Sequence, residues 1–458
     1  MKELLLISGL GVFALVAGLL NLRKLMMPIV IIGLLANIGL CISDWDSNEI
    51  VYNMLMLDNF ALAFTIIFSV TTIIWFISAA DYFNDDNNFS DHYALVLFSL
   101  TGGFLLVSFT HMVMLFLGIE ILSIPLFVLV GSNKTKLRSN EAAFKYFLLG
   151  SFASAFMLFG ITLIYGSTGT FNTQAIAVFL SQSGTVPPLV FAGMLCLLMA
   201  MSFKVSAAPF HFWAPDVYQG APTHITAYMS TVVKTVAFAA FFRLFKTSFD
   251  TMQTEYMMAL AIMSAVTMLI ANITASVQEN VKRMLAYSSI SHAGFMLVTV
   301  LTIKSNSAGI LLYYAMVYSI SSICAFAVLK QIKIHSNGRE IIDAFKGLLG
   351  RNRLMAISMT LALLSMSGIP PLAGFMAKYL VFTAAITNGY LWLAIVGVIG
   401  SLIAVFYYFK IIIVMYGKSD ADHSTTIQLP WHIQLVFVIC CIGMLLLAFI
   451  PDIILGML

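Results

Sequence analysis

Four ionisable residues sit inside apolar runs, where a charge is costly. Glu120 lies near the middle of HMVMLFLGIEILSIPLFVLVG, Lys204 in CLLMAMSFKVSAAPFHFW, Lys234 in HITAYMSTVVKTVAFAAFF and Lys378 in SGIPPLAGFMAKYLVF. A charge at mid-bilayer costs at least roughly 2.5–3.5 kcal/mol on insertion scales, so such residues face a bundle interior or water and are functional candidates. One acid and several amines on separate runs can exchange protons. A lysine held between the opposing influences of burial and a nearby carboxylate gains or loses its proton when a neighbouring charge moves. The competing reading is a set of inert ion pairs joining helices.

Further candidates are weaker. Glu141 and Lys145 stand i,i+4 on one helix face, as an ion pair or as two steps of a relay. His211, His224 and His292 fall in or beside apolar runs; each bridges lysines through water or is a packing residue. Asp216, beside Pro215, is either a relay or coupling residue or a helix cap. Arg243 and Lys410, near run ends, are expected to snorkel to the interface. The histidines share no metal-ligand spacing, and HFWAPD (211–216) is not a ligand motif. No P-loop and no Gly-x-Gly-x-x-Gly after a strand is present. Haem, flavin and iron–sulfur motifs are absent as well, so no metal and no bound cofactor is expected. Cys41, Cys196, Cys324, Cys440 and Cys441 read as small apolar packing residues.

These residues must be positioned by membrane helices. Of 458 residues, 61% are apolar and only 9% are Asp, Glu, Lys or Arg; a soluble domain carries roughly a quarter charged residues. That excludes an ordinary soluble enzyme, a disordered tail and a nucleic-acid binder. About fourteen apolar runs lie near 3–20, 26–42, 59–80, 92–109, 112–130, 141–166, 188–214, 222–245, 257–276, 284–303, 307–332, 355–383, 390–416 and 431–455. They are too long for barrel strands and lack period-two alternation, so an all-α polytopic fold is expected. The first run, beginning MKELLLISGL, lacks a clear cleavage site and reads as a retained span.

Loop charges set an orientation. Arg23, Lys24, Lys134, Lys136, Arg138, Lys282, Arg283, Lys333, Arg339, Lys346, Arg351, Arg353 and Lys418 fall on one side by loop parity. The other side holds little beyond Lys2, Lys246 and Lys304, with Asp44, Asp46, Glu49, Asp250 and Glu255. The positive-inside rule puts both termini outside the cytoplasm. Loop 81–91, with Asp81, Asp85, Asp86 and Asp91, falls on the basic side, but acids contribute little to that rule. Ser-Ala-Ala-Pro209 recurs as Ser-Gly-Ile-Pro370, 161 residues later, each inside a long run. Proline breaks a helix, and paired breaks about five spans apart are the pattern of an inverted repeat.

KVSAAPFHFWAPDVYQGAPT, STVVKTVAF, SVQENVKRMLAYSSISHAGF and SGIPPLAGFMAKY resemble the antiporter-like membrane subunits of respiratory complex I, the proton-translocating NADH-quinone oxidoreductase (NDH-1). The resemblance covers essentially the whole chain. It implies about fourteen transmembrane helices with two inverted five-helix repeats broken at Pro209 and Pro370. Residues 1–91 would hold helices 1–3, 92–246 the first repeat, 257–417 the second and 431–458 the last helix. It implies a proton pump in a bacterial inner membrane, coupled to electron transfer in other subunits that hold NADH, FMN, iron–sulfur clusters and quinone. Adjacent antiporter-like and small membrane subunits, and lipid, would be the partners. Glu120 matches a fifth-helix glutamate that pairs with a seventh-helix lysine, here Lys204. Lys234 matches the bridging lysine, Lys378 the exchanging residue on the broken twelfth helix, and Glu141 with Lys145 a pair facing a neighbouring subunit. No lateral helix follows the last run, unlike the largest such subunit. Lys378 replaces the glutamate usual in the middle one. Both point to the third. Mrp-type cation/proton antiporter subunits share most of these motifs and are the alternative.

Overall fold

The computed structural model describes residues 1–20, 22–85, 88–303, 306–418 and 426–458, with the backbone alone at 84–85. Asp86 and Lys304, and the side chain of Asp85, therefore lie outside the described residues. In hydrocarbon every backbone polar group must be satisfied within its own segment, which makes these apolar runs helical. They begin with α1 (Lys2–Leu19), α2 (Arg23–Ser43), α3 (Asn59–Ser78), α4 (Ala80–Asp85), α5 (Phe89–Ser108), α6 (Met112–Val130) and α7 (Leu137–Thr168). There follow α8 (Thr173–Gln182), α9 (Pro188–Lys204), α10 (Trp213–Gly220), α11 (Thr223–Tyr228), α12 (Lys234–Ser248), α13 (Gln253–Ser276) and α14 (Val281–Leu301). The chain ends with α15 (Ser307–His335), α16 (Leu348–Arg351), α17 (Arg353–Ser367), α18 (Ala373–Thr387), α19 (Leu391–Tyr416), α20 (Trp431–Phe449) and α21 (Pro451–Leu455). The only strands among the described residues are the antiparallel pair Glu49–Val51 and Leu55–Leu57.

Among the described residues twelve helices are long and apolar enough to cross a membrane alone, counting Thr223–Ser248 as one. The other two expected runs, 188–214 and 355–383, are divided. Their pieces Pro188–Lys204, Arg353–Ser367 and Ala373–Thr387 are shorter apolar helices. The division follows from proline, which lacks an N–H and clashes with the turn before it. At the first break Ser206 takes a φ of 61°, and Trp213 Nε1 donates to the Phe203 carbonyl at 3.0 Å. At the second, Gly368 has a φ of 86°, a conformation glycine adopts without penalty. A Cβ on Gly374 would collide with the Ser365 carbonyl, so only glycine lets α18 pack against α17 here.

The bundle has a centre and a rim. Every residue in the most apolar stretch of Thr223–Ser248 is buried, as are 94% in Val281–Leu301 and Ser307–His335. In Lys2–Leu19, Leu391–Tyr416 and Trp431–Phe449 the share is a third or less. Exposed leucine, isoleucine and phenylalanine on the rim, such as Leu402 and Phe406, are the side chains a hydrocarbon surround accepts.

Two expectations change. Arg243 does not snorkel: it is 4% exposed and ion-paired with Asp58, the N-cap of α3, because α12 is enclosed at this level. Lys282 is no loop charge. It lies in the first turn of α14, 1% exposed, and donates to the carbonyls of Gln219 (3.1 Å) and Ala221.

Candidate functional site

The residues with proton chemistry fall on the enclosed helices and their neighbours. On α6, Glu120 accepts from Ser154 Oγ of α7. One turn on, Ser123 Oγ accepts from Lys204 Nζ, the last residue of α9, at 2.6 Å. Acid and amine thus meet the same helix a turn apart, and no ion pair within 4.0 Å joins them. Ser123 is the intermediary that sequence reading missed.

Lys204 and Lys234 line one cavity of about 10 Å³ with Ser123, Tyr146 and Tyr218. That volume holds about one water. Lys234, 2% exposed, follows a π turn over Met229–Val233, an irregularity frequent at functional sites. Its Nζ donates to Ser289 O at 2.7 Å and Ser289 Oγ at 2.5 Å, both on α14. One turn along α14, His292 Nδ1 is 2.8 Å from the Tyr314 hydroxyl of α15.

A second cavity of about 10 Å³ lies between His292, Tyr314, Tyr318, Ser321 and Ser365. Ser321 Oγ donates to Ser365 Oγ at 2.9 Å, which reaches α17 at the second break. Lys378, 5% exposed, donates to Ser367 O at 2.9 Å and Ser401 Oγ at 3.2 Å. Its Nζ also lies 5.0 Å from the centre of the Phe295 ring, one turn beyond His292.

The remaining candidates divide. Glu141, Lys145, Asp216 and Arg283 form one exposed network, with Lys145–Glu141 at 2.7 Å, Lys145–Asp216 at 3.0 Å and Arg283–Asp216 at 2.8 Å. It lines an open cavity of about 230 Å³. Burial alone would raise the Asp216 carboxyl, but Arg283 and Lys145 hold it below its ordinary value. Asp216 lies within helix α10, not in a loop, and its side chain bridges α7 and α14 rather than capping a helix. A second acid, Glu340, was not foreseen. It accepts from Lys333 Nζ at 2.6 Å and Thr223 Oγ1 at 3.3 Å. Burial again pushes up, while Lys282 and Lys333 draw it below the usual range.

His224 is buried beneath the Tyr82 ring, with centroids 3.8 Å apart, and its Nε2 has no hydrogen-bond partner. It lines an open cavity of about 740 Å³, not the lysine cavities. His211, at the first break, packs on Phe212 with Nδ1 unpartnered and touches none of the three lysines. Among the described residues no cluster of His, Cys, Asp and Glu could hold a metal ion.

A helical bundle with amines spread across its enclosed middle, between two interrupted helices, defines an ion-moving membrane subunit. Residues 110–404 match the family described as NADH:quinone oxidoreductase/Mrp antiporter, TM. The chain belongs to that family and is a multi-pass membrane protein. It is similar to NADH-quinone oxidoreductase subunit N of Cytophaga hutchinsonii, 42% identical over 99% of each chain. The subunit N of Flavobacterium psychrophilum is 41% identical over 100% of each. Among solved structures, a chain of respiratory complex I from Thermus thermophilus superposes with a TM-score of 0.86 at 29% identity, covering 99% of this chain and 98% of that one. A chain of the Mrp complex from Dietzia, at 20% identity, shares the fold with a TM-score of 0.88 over 100% of this chain and 96% of that one.

Proposed function

We propose that this chain is a proton-translocating membrane subunit of NADH-quinone oxidoreductase, of the subunit N type, with Lys204, Lys234 and Lys378 as its relay. NADH-to-quinone electron transfer takes place in other subunits, which hold the flavin, the iron–sulfur clusters and the quinone. This chain supplies the path for protons. Its neighbours in the complex are an adjacent antiporter-like subunit and small membrane subunits, with Glu141 and Lys145 facing one of them. Residues 92–246 and 257–417 are two inverted repeats. Both termini lie on the non-cytoplasmic side of a bacterial inner membrane.

One observation carries the relay. Among the described residues none of the three lysines has a carboxylate within 4.0 Å; each is held by hydroxyl or carbonyl oxygens. Inert pairs would put an acid beside each amine, since breaking a buried pair costs about 3–5 kcal/mol. A serine hydroxyl instead accepts from an ammonium and donates to a neutral amine. Ser289 and Ser401 therefore keep hold of their lysines in both protonation states, and Ser123, whose own proton goes to Ile119 O, holds Lys204 as an acceptor. A charge change near Glu120 shifts Lys204; the proton passes by way of one water to Lys234, then past Ser289, His292 and Tyr314 toward Lys378. The 41–42% identity to subunit N relatives supports this reading over an Mrp-type antiporter subunit.

The test is proton uptake in inverted membrane vesicles driven by NADH, with the assembled complex quantified. Lys204→Ala or Lys378→Ala should cut pumping at least tenfold with the complex intact. Normal pumping by either assembled variant sinks the relay.

A further inference from the structure

We infer that the 740 Å³ cavity on the basic face of the bundle is a binding site for the phosphodiester headgroup of an anionic phospholipid. The cavity lies where Tyr82 of α4, Asn88, the loops between α6 and α7 and between α10 and α11, and the end of α15 meet. Five cations line it: Lys134, Lys136, Arg138, Lys330 and Lys333. Two are already engaged. Lys333 pairs with Glu340 at 2.6 Å, and Lys330 donates to Ser78 O at 3.1 Å and faces Asp81 at 3.8 Å.

The side chains of Lys134, Lys136 and Arg138 make no hydrogen bond or ion pair with any described residue. Glu340, the only acid lining the cavity among the described residues, is already engaged through Oε1 by Lys333 and Thr223. Three cations without counter-charge among the described residues, in one concavity, attract an anion. The hydroxyls of Ser132, Thr135 and Ser139 stand among them as further donors to phosphate oxygens.

A lipid rather than a soluble anion follows from the position. The cavity sits at the ends of membrane helices, with Ile334 in its wall 56% exposed and Leu137 between Lys136 and Arg138 81% exposed. Aliphatic side chains beside a charged pocket suit a ligand with a head and acyl chains. Its volume is within the range of small-molecule pockets. Basic pockets between membrane helices on the cytoplasmic side are recognised sites for anionic headgroups. His224 lines the same cavity, so a bound phosphate lies beside a buried imidazole.

The experiment uses the whole complex in nanodiscs of phosphatidylcholine doped with phosphatidylglycerol, with retained lipid counted by native mass spectrometry. The triple variant Lys134→Gln, Lys136→Gln, Arg138→Gln should lose at least tenfold in phosphatidylglycerol retention. Lys134→Arg with Lys136→Arg should keep it, which separates charge from misfolding; NADH oxidation confirms assembly of both. Equal retention by the triple variant overturns the site. So does inorganic phosphate binding the lipid-free complex as tightly as the lipid binds, or an acidic loop of a neighbouring subunit cross-linking to Lys134. Retention is read without NADH, so its failure leaves the lysine relay standing.

Discussion

The two interrupted helices solve one problem in opposite ways. Each break frees backbone carbonyls that no longer have an intrahelical donor. At the first, α9 to α10, the Phe203 carbonyl takes the indole N–H of Trp213, and Lys204 reaches away to a serine on another helix. At the second, α17 to α18, the freed Ser367 carbonyl takes Lys378 itself. Structure and the proposed relay are thus carried by different residues at the first break and by the same residue at the second. Lys204 hangs from one hydroxyl; Lys378 is fastened to a backbone oxygen and a hydroxyl. An amine on one tether is free to reorient, and one on two tethers stays at its post.

Five substitutions sharpen or break this contrast. The largest effect is expected at Gly374, where α18 touches the Ser365 carbonyl: Gly374→Val should prevent assembly, seen as loss of the complex on native gels. Gly166, with open space around it, should accept alanine without loss of assembled complex. Next, Ser123→Ala removes the only acceptor of Lys204 among the described residues, whereas Ser401→Ala leaves Lys378 its carbonyl. A hydrogen bond to a charged group contributes about 1.5–3 kcal/mol, so Ser123→Ala should slow NADH-driven pumping about tenfold and Ser401→Ala less than threefold. Equal losses would erase the distinction between one tether and two. The smallest effect is Trp213→Phe, which removes one of two donors to the Phe203 carbonyl and leaves it the Ser206 N–H at 3.1 Å. It should lower the stability of the assembled complex by about 0.5–1.5 kcal/mol, read as a fall in its thermal midpoint, with pumping per complex kept.

The fold was legible wherever the bilayer dictates it. Long apolar runs mark helices because hydrocarbon offers the backbone no partner, and proline marked both breaks. The surface helix Thr173–Gln182 was not legible, since its polar face hides it from hydropathy. Among site residues, Glu120 and the three lysines stood out through their cost in an apolar run. Their partners did not. Ser123, Ser289 and Ser401 are small and common, and nothing in spacing tells a hydroxyl that holds an amine from one that bonds its own helix, as Ser99 does to Val96 O. Arg243 and Lys282 were misplaced for a related reason. Proximity to a run's end suggests water, but enclosure by other helices decides exposure, and enclosure is a tertiary property.

The two cavities along the lysine line are each about 10 Å³. If protons follow the proposed relay, a passage of that calibre is an insulator that a single solvent molecule converts to a conductor. A dry chamber would then put packed side chains between the lysines and block back-leak. Tightness, in a molecule that must hold a gradient, serves as a safeguard.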